Sequence, residues 1–344
     1  MRALYLGAIE PQSTARHRAD AMRRLSMEVI HLDPMAQMTP RLQGLEGAVH
    51  YRAGYLMLSP LVNRWLRATL ASQPKPDVVW VDSGELLSAS SLKLLRSLGV
   101  PIILFNHDDP TGRRDRLRFM GLRTAIPYYD LCIAVRPENV DEYKDHGARA
   151  VMFHWRTYDE VQHQLDHTAR AVPDRMRSDV VFVGGCHKNE GRDRMMLDLI
   201  EAGIDAAIWG DGWQRSALWP RLAPHWRGPS VAGQDYVDAL RGAKLCLGMV
   251  SKANRDMHTT RTMEIPAAGG LLCAQRTADH QALYREGEEA VFWSSVDECI
   301  QRCRELINDT ERRERIRSAG QARLHANQAG NEDLIRAALA RLGM

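Results

Sequence analysis

The segment RTMEIPAAGGLLCA, residues 261–274, contains one acid, Glu264, in a short helical pattern that ends in two glycines and leads into an apolar strand. Pro266 cannot donate a backbone hydrogen bond, so we expect the helix to begin just before it or to bend there. Glu264 would then lie near the helix N-terminus. Packing does not need an acid at that position. The glutamate therefore either interacts with the helix dipole at the surface or holds a ligand.

Short apolar runs alternate with helical patterns on both sides of this segment. The helical stretches include ELLSASSLKLLRSLG, which ends on Gly99 as a C-cap should. Strands alternating with helices predict parallel, doubly wound sheets. The predicted strands are RALYLGA, MEVIHLD, DVVWVDS, PIILFNH, LCIAVRP and RAVMFHW in the first half, then VVFVGG, IDAAIWG, KLCLGMV, GLLCA and EAVFW in the second.

A polar stretch separates the two halves, so the 344 residues are expected to form two Rossmann-like α/β domains. We assign residues 1–165 to the first domain, 166–178 to a linker and 179–328 to the second domain. Two such domains imply a cleft. Ligands of open α/β sheets lie outside the carboxyl ends of the strands, so the loops that follow the strands are where functional residues are expected.

The composition is that of an ordinary globular protein, with 44% hydrophobic and 26% charged residues. No apolar run approaches the roughly 18–20 residues of a membrane span, and the apolar start of the chain is too short for a signal peptide. The six cysteines form no Cys-x-x-Cys pair, so neither a zinc ribbon nor a disulfide scaffold is indicated. These features predict a cytoplasmic protein with reduced thiols.

The net charge of +3 does not identify a partner, although residues 112–123 form a basic run. Such a run can bind phosphates or nucleic acid, but it is more often the solvated face of a helix. The phosphate-binding motifs Gly-x-x-x-x-Gly-Lys-Ser/Thr and Gly-x-Gly-x-x-Gly are absent from the sequence where they would be expected. In HQLDH, residues 163–167, Gln164 replaces the glutamate of a zinc protease, so His163 and His167 are expected to be surface histidines.

The segment FNHDDP, residues 105–110, ends the fourth predicted strand with an acid/base group: His107, Asp108 and Asp109. A base that removes a proton from an acceptor hydroxyl must lie within hydrogen-bond reach of it, and one of these three side chains could serve. The alternative is a turn, in which Asp and Asn make local hydrogen bonds.

Two loops of the second half combine glycines with polar residues. Gly184 and Gly185 follow a strand and precede Lys188 and Arg192, so the backbone can approach a ligand whose phosphates these cations would pair with. The alternative is a glycine turn before an amphipathic helix.

In WGDGWQ, residues 209–214, Gly210 and a second glycine flank Asp211. Trp213 could stack on a base or belong to the core.

The loop before Glu264, residues 251–260, adds charged residues to the opening segment. Candidate ligand-binding residues here are Lys252, Arg255, Asp256, Arg261, Thr262 and Glu264. The two acids could accept hydrogen bonds from sugar hydroxyls, and the cations and helix N–H groups could bind phosphates. Together they predict a nucleotide-sugar site.

In this combination the chain resembles glycosyltransferases of the GT-B fold, in particular the branch related to the spore-maturation protein CgeB. The resemblance rests on VVFVGG with its following arginine, AIWGDGW, RTMEIPAAGGLLCA and YREGEEAVFW, and it covers roughly residues 179–344. FNHDDP and YYDLCIAVRPENVDEYKDHGA extend it into the first half.

The resemblance implies roles for individual residues. In such enzymes the glutamate matching Glu264 binds the ribose, and the acid at the position of Asp256, usually a glutamate, faces the donor sugar. It also implies pyrophosphate binding by basic residues of the second domain, no metal requirement, and a closing helix, residues 329–344, that packs back on the first domain.

We therefore expect a metal-independent glycosyltransferase with a UDP- or GDP-linked donor. The second domain would bind the donor and the first the acceptor, which could be a glycan, protein, lipid or nucleic acid. Alternatives are a nucleotide-sugar epimerase of the same fold, a non-catalytic nucleotide- or carbohydrate-binding protein, and a nucleic-acid-binding protein.

Overall fold

The computed structural model describes residues 1–115, 117–163 and 171–344. The chain divides into two compact units. The first unit comprises Met1–Trp155 and Asn331–Met344, and the second comprises Arg156–Gly330.

Each unit is built on a six-stranded, fully parallel sheet. In the first unit the strand order is β2-β1-β3-β4-β5-β6, and in the second it is β12-β11-β10-β7-β8-β9. The strands are β1 (Arg2–Leu6), β2 (Glu28–Leu32), β3 (Val78–Asp82), β4 (Ile102–Asn106), β5 (Leu131–Ala134), β6 (Val151–Phe153), β7 (Ser178–Val183), β8 (Ala206–Trp209), β9 (Trp226–Gly228), β10 (Ala243–Gly248), β11 (Leu272–Gln275) and β12 (Val291–Trp293).

The connections between strands are mostly helical. In chain order the α-helices are α1 (Thr14–Arg24), α2 (Pro34–Met38), α3 (Gly44–Arg52), α4 (Ser59–Ala71), α5 (Ala89–Arg96), α6 (Met120–Ala125), α7 (Pro137–Asp145), α8 (Glu160–His163), α9 (Arg192–Glu201), α10 (Trp219–Leu222), α11 (Gly233–Gly242), α12 (Thr260–Ala267), α13 (Ala278–Leu283), α14 (Val296–Ile307), α15 (Thr310–Ala326) and α16 (Asn331–Arg341).

The strand order reverses direction once in each sheet. In the first sheet the reversal lies between the neighbours β1 and β3, and in the second it lies between β7 and β10. The loops that leave such a pair of strands diverge to opposite sides of the sheet and leave a crevice at its carboxyl edge. Each unit therefore contains one crevice at which ligands of this fold class bind.

Alternating side chains of the first sheet enter two separate cores. Leu4 and Val79 belong to one apolar cluster, and their chain neighbours Tyr5 and Trp80 belong to another. Because successive side chains of a strand point to opposite faces, the sheet is covered on both sides.

The last helix, α16, belongs to the first unit, where it packs against α1. Leu334 and Ile335 are buried in the core that contains Met22 of α1. Arg24 Nε donates to Glu332 Oε1 at 2.5 Å, beside this apolar contact.

The prediction of two doubly wound α/β sheets is confirmed, and every predicted apolar run contains a strand. The pattern missed β9, a three-residue edge strand. Among the described residues it pairs with β8 alone, at the edge of the sheet and across an irregular register.

None of the described helices is both long and apolar enough to cross a membrane.

Candidate functional site

The crevice of the second sheet lies between the loops that follow β7 and β10. Glu190, in the first loop, accepts hydrogen bonds from Ser251 Oγ at 2.9 Å and from the backbone N–H of Lys252 at 3.0 Å. Partial burial raises the pKa of Glu190, but these hydrogen bonds outweigh it and the net pKa is lowered. An ionised glutamate therefore joins the two loops.

Glycines allow the loops after β7 and β8 to touch backbone to backbone. Gly210 has φ 137°, and a Cβ there would lie 2.3 Å from the carbonyl oxygen of Gly184. A side chain at Gly210 is therefore excluded by both conformation and space. At Gly185 a Cβ would lie 3.3 Å from its nearest neighbours, so this position is less restricted.

Trp213 lies in the core of the second unit, which corrects the expectation that its ring could stack on a base. The side chain is fully buried, and the ring packs edge-on against Phe182. The indole N–H donates to the carbonyl oxygen of Gly184 at 2.9 Å, so the tryptophan supports the glycine loop from behind. Asp211 is exposed and accepts a hydrogen bond from Ser230 Oγ at 2.6 Å.

Helix α12 begins earlier than predicted, because Thr259 and Thr262 form a reciprocal capping box. Glu264 therefore lies in the second turn of the helix rather than near its start. Pro266 lies inside the helix and cannot donate to the carbonyl of Thr262, four residues earlier. The hydroxyl of Tyr284 donates to that carbonyl at 3.0 Å instead, and so allows the helix to continue through the proline.

The side chain of Thr262 is committed to this cap, which corrects its assignment to ligand binding. Its hydroxyl accepts from the backbone N–H of Thr259 and lies 2.9 Å from Nε2 of His280. Nδ1 of His280 lies 2.6 Å from the carbonyl oxygen of Gln275, which can only accept. Nδ1 therefore carries the proton, and Nε2 accepts the hydrogen bond from Thr262.

Glu264 is buried, with 4% of its surface exposed, and is held by three side chains. The hydroxyl of Tyr236 and Nη1 of Arg261 each donate to Oε2 at 2.6 Å, and Nε2 of His163 lies 3.5 Å from Oε1. Burial raises the pKa of Glu264, but Arg261, His163 and Tyr236 together lower it below its usual value. The residue is thus an ionised carboxylate in a fixed orientation, with lone pairs left for further donors.

Besides its bond to Glu264, Arg261 is fixed by two further contacts. Its Nε donates to the carbonyl oxygen of Val183 at the end of β7, at 3.1 Å. Its guanidinium lies over the ring of Tyr236, 5.0 Å from the centroid. The arginine thus ties the glutamate of α12 to the strand end of the crevice.

His163 is buried, which corrects the expectation that it lies on the surface. Its ring packs edge-on against Tyr236, the same residue that donates to Glu264. Gln164 and His167 of the same segment lie outside the described residues. No local signal in the sequence connects His163 with a glutamate about a hundred residues later.

Asp256 takes part in a buried ion pair. Arg156 Nη2 donates to Asp256 Oδ1 at 2.7 Å, and both side chains are almost fully buried. The sequence missed Arg156 as a site residue. Because Asp256 is held by this arginine, the carboxylate that the resemblance would aim at the donor sugar is already engaged by a cation of the chain.

A histidine fixes the backbone beside this pair. The backbone N–H of Arg156 donates to Nε2 of His258 at 3.1 Å, so Nδ1 carries the proton and donates to Asp279 Oδ2 at 2.7 Å. Burial lowers the pKa of His258, which favours this neutral form. His258 and Asp279 thereby hold the start of the second unit against the loop that carries Asp256.

Arg192, at the start of α9, offers an unused donor in the same crevice. Its Nη1 donates to the carbonyl oxygen of Gly185 at 2.9 Å, and its guanidinium lies 5.6 Å from the ring centroid of Phe182. Within the described part of the chain its buried Nε has no hydrogen-bond partner. Burial lowers the pKa of Arg192, and the positive charge of Arg261 lowers it further, whereas the negative charge of Glu190 raises it. The net pKa is lowered. A buried donor with a second cation, Arg261, near it is suited to an anion.

The other predicted cations differ in exposure. Lys188 and Lys252 are exposed, whereas Arg255 is half-buried and has φ 52°. The side chains of Arg192, Arg261 and Glu264 are thus held by contacts within the second unit, whereas the two lysines lie at the surface.

In the first unit the predicted acid/base group separates into different environments. Asp109 is buried, and its Oδ1 accepts from the backbone N–H of Gly112 at 3.1 Å and from Asn139 Nδ2 at 2.9 Å. It forms a turn, which corrects its assignment as a catalytic base. Asp108 lies 3.7 Å from Arg118 Nη2, and His107 lines a cavity at the carboxyl edge of the first sheet.

One cluster has the composition of a metal site. The Sγ atoms of Cys273, Cys299 and Cys303 lie within 4.8 Å of one another, and all three side chains are buried. A structural zinc site takes four ligands, and thiols in an apolar core also pack as small hydrophobic groups. Metal independence of the reaction stays a prediction.

Comparison with known proteins places these features in a family context. Residues 192–333 match a model of the family described as glycosyl transferase-like. This range includes Arg192, Asp256, Arg261 and Glu264. No curated protein matches the chain.

Solved structures match over nearly the whole chain. HepE of Anabaena, crystallised with UDP, has 14% sequence identity and a TM-score of 0.64, with 99% of this chain and 100% of that chain covered. A UDP-forming trehalose-phosphate synthase from Burkholderia xenovorans has 11% identity and a TM-score of 0.64, with coverage of 100% and 99%.

Sucrose-phosphate synthase from Thermosynechococcus elongatus has 10% identity and a TM-score of 0.67, with 99% of both chains covered. At these identities the likeness concerns the fold. The chain therefore has the two-domain GT-B fold, and residues 192–333 carry a glycosyl transferase-like domain.

Proposed function

We propose that the protein is a glycosyltransferase that uses a nucleotide-sugar donor bound by its second unit. The observation that carries the proposal is the ionised, oriented carboxylate of Glu264 in the same crevice as the unused Nε of Arg192. A carboxylate suits the vicinal hydroxyls of a ribose, and a buried arginine suits a diphosphate.

A uridine nucleotide is the donor we favour over a guanine nucleotide. Structures of similar fold were solved with UDP and with UDP-glucose, and the trehalose-phosphate synthase is named as UDP-forming. These names describe those proteins, and they set the order in which donors should be tried here.

The reaction would break the bond between the anomeric carbon and the diphosphate while an acceptor oxygen bonds to that carbon. Arg192 and Arg261 would stabilise the negative charge that develops on the departing diphosphate. His107 is the base we favour for the acceptor proton, because Asp109 is committed to a turn. No step of this scheme requires a metal. The acceptor is bound by the first unit in this proposal.

A second candidate is a non-catalytic nucleotide-binding protein. The ion pair between Asp256 and Arg156 favours it, since the acid that would face the donor sugar is engaged. The epimerase alternative has no structural feature of its own in support. In the basic run of 112–123, Arg118 pairs with Glu85 and Arg123 Nη1 donates to a backbone carbonyl, so these two cations are engaged within the chain.

Two further aspects stay predictions. The free and mostly buried thiols support a cytoplasmic location. The relation to the CgeB-related branch rests on the sequence segments alone.

The first test is thermal stability of the purified protein with UDP, GDP and their glucose conjugates at millimolar concentration, without added metal. A ligand that binds only the folded state raises the melting temperature. We expect a shift with the uridine ligands that is lost in Glu264→Gln and kept in Glu311→Gln, an exposed control. Binding without release of UDP from any UDP-sugar, with or without a panel of acceptors, would favour the non-catalytic candidate. No shift with any nucleotide would refute both candidates.

A further inference from the structure

A cavity of about 420 Å³ occupies the crevice of the first sheet. It lies between the loops that follow β1 and β3, the pair at which the strand order reverses. Its size is in the range of small-molecule sites. Its apolar wall consists mainly of Leu6, Ala8, Met35, Val81, Leu86 and Leu87.

The acids at this cavity are already engaged by the chain. Asp82 Oδ2 accepts from the hydroxyl of Tyr5 at 2.6 Å and from Arg18 Nε at 2.7 Å. Burial raises the pKa of Asp82, but Arg18 outweighs it and the net pKa is lowered. The charge of this ionised carboxylate is therefore balanced by Arg18 within the protein.

The other two acids are also engaged by the chain, Asp33 by backbone N–H groups and Glu85 by an arginine. Asp33 caps α2 by accepting from the backbone N–H of Ala36 at 2.9 Å, and it accepts a further hydrogen bond from the N–H of Ile9 at 3.2 Å. Glu85 accepts from Arg118 Nε at 2.7 Å.

No cation is available to a ligand here. Among the described residues that line the cavity, none is a lysine or arginine. The nearby Arg18 donates to Asp82 and to Thr14 Oγ1, and its guanidinium lies 4.4 Å from the ring centroid of Phe105. An anionic ligand would thus be buried beside acids whose partner cations are already engaged, with no lysine or arginine of the described lining to pair with it.

His107 is the remaining ionisable side chain of the wall. It follows β4 and lines the same cavity as Asp82. A hydroxyl presented to this imidazole would be in position for proton removal.

We propose that this cavity takes the apolar part of an uncharged, hydroxyl-bearing acceptor, and that it discriminates against phosphorylated acceptors. This inference rests on the proposed transferase function. In the reaction the acceptor hydroxyl would give its proton to His107, its oxygen would bond to the anomeric carbon, and the nucleoside diphosphate would leave with the electron pair of the broken bond. The proposal thus assigns a chemical class to the acceptor.

The test uses 4-methylumbelliferone, a flat and fluorescent hydroxyl compound that is uncharged below the pKa of its phenol, and its phosphate ester, with the uncharged methyl ether as the control for loss of the hydroxyl. Binding of both to the full chain is measured by calorimetry or fluorescence, without nucleotide. We expect the parent compound to bind at least about tenfold more tightly than the ester. Ala8→Trp, which fills the cavity from a half-buried loop position, should remove binding. Ala53→Trp, half-buried elsewhere in the same unit, should not.

Each outcome is informative. Equal or tighter binding of the phosphate ester, or binding that survives in Ala8→Trp, would overturn the proposal. If neither compound bound, the proposal would also be overturned for flat, apolar acceptors of this kind. The melting shift with UDP is measured on the same preparations, so failure of the acceptor proposal is separated from failure of the proposed function. A folded Ala8→Trp protein keeps that shift.

Discussion

The hydroxyl of Tyr236 donates to Oε2 of Glu264 at 2.6 Å, so a side chain of α11 fixes the carboxylate of α12. The same oxygen accepts from Arg261, whose guanidinium lies over the ring of Tyr236. The buried tyrosine and glutamate and the half-buried arginine thus form one contact network in which each side chain orients the other two.

Tyr236→Phe should weaken binding of UDP without removing it. The ring and its packing on Arg261 and His163 would remain, but the carboxylate would lose one of its two short hydrogen bonds. We expect the dissociation constant to rise by about tenfold, because a hydrogen bond to a charged group contributes roughly 1.5–3 kcal/mol. Calorimetric titration with UDP measures this. Tyr128→Phe, in the first unit, is the control, and an unchanged affinity in Tyr236→Phe would show that the hydroxyl does not orient the ligand-binding acid.

Arg192→Met should weaken binding of UDP far more than binding of uridine. Its buried Nε is the donor that we assign to the diphosphate, and a nucleoside has no group for it to hold. We expect a loss of about thirtyfold or more for UDP, since charge-assisted hydrogen bonds are the strong ones. Arg194→Met is a matched control two residues along the chain, where an exposed arginine pairs with Asp198. Equal losses for UDP and uridine would place Arg192 away from the phosphates.

The fold could be predicted from the sequence because its signal is local and repeated. Apolar runs between helical patterns specify parallel strands, and every such run contains one. Short edge strands such as β9 lack that signal, since three residues carry almost no periodicity.

The site was predictable only in part, and the reasons are physical. Trp213 and Asp109 follow strands, as ligand-binding residues do, but a buried ring and a turn carboxylate produce the same local pattern. The start of α12 depends on a threonine cap, and its continuation through Pro266 depends on the hydroxyl of Tyr284, about twenty residues later. Arg156 and His163 meet Asp256 and Glu264 across about a hundred residues, and no local pattern encodes such contacts.

Arg156→Met should destabilise the second unit strongly. Removal of the arginine leaves the carboxylate of Asp256 buried without its counter-charge, which typically costs about 3–5 kcal/mol. Arg156→Met combined with Asp256→Asn should recover part of this loss, because the amide carries no charge. Chemical denaturation of the wild type, the two single variants and the double variant gives the coupling energy between Arg156 and Asp256. Arg315→Met, which breaks an exposed pair with Glu311, should change stability by less than about 1 kcal/mol, and a similar small effect at Arg156 would contradict the buried pair.

Stability should fall as the pH is lowered from about 6.5 towards 4, and His280 should account for part of this fall. Burial lowers the pKa of His280 to about 4, below the value of about 6.5 in the unfolded chain. Between these values the unfolded state binds a proton that the folded state does not, so stability is lost as the pH decreases. One such group contributes at most about 1.4 kcal/mol per pH unit in this window. His280→Gln should reduce the pH dependence of the unfolding free energy between pH 6.5 and 4.5, whereas Gln281→Asn, at the exposed neighbouring position without a titratable group, should leave it as in the wild type. An identical pH dependence in wild type and His280→Gln would show that the His280 ring does not stay neutral in the fold, and would remove the basis for assigning Nε2 as the acceptor that anchors Thr262 at the cap of α12.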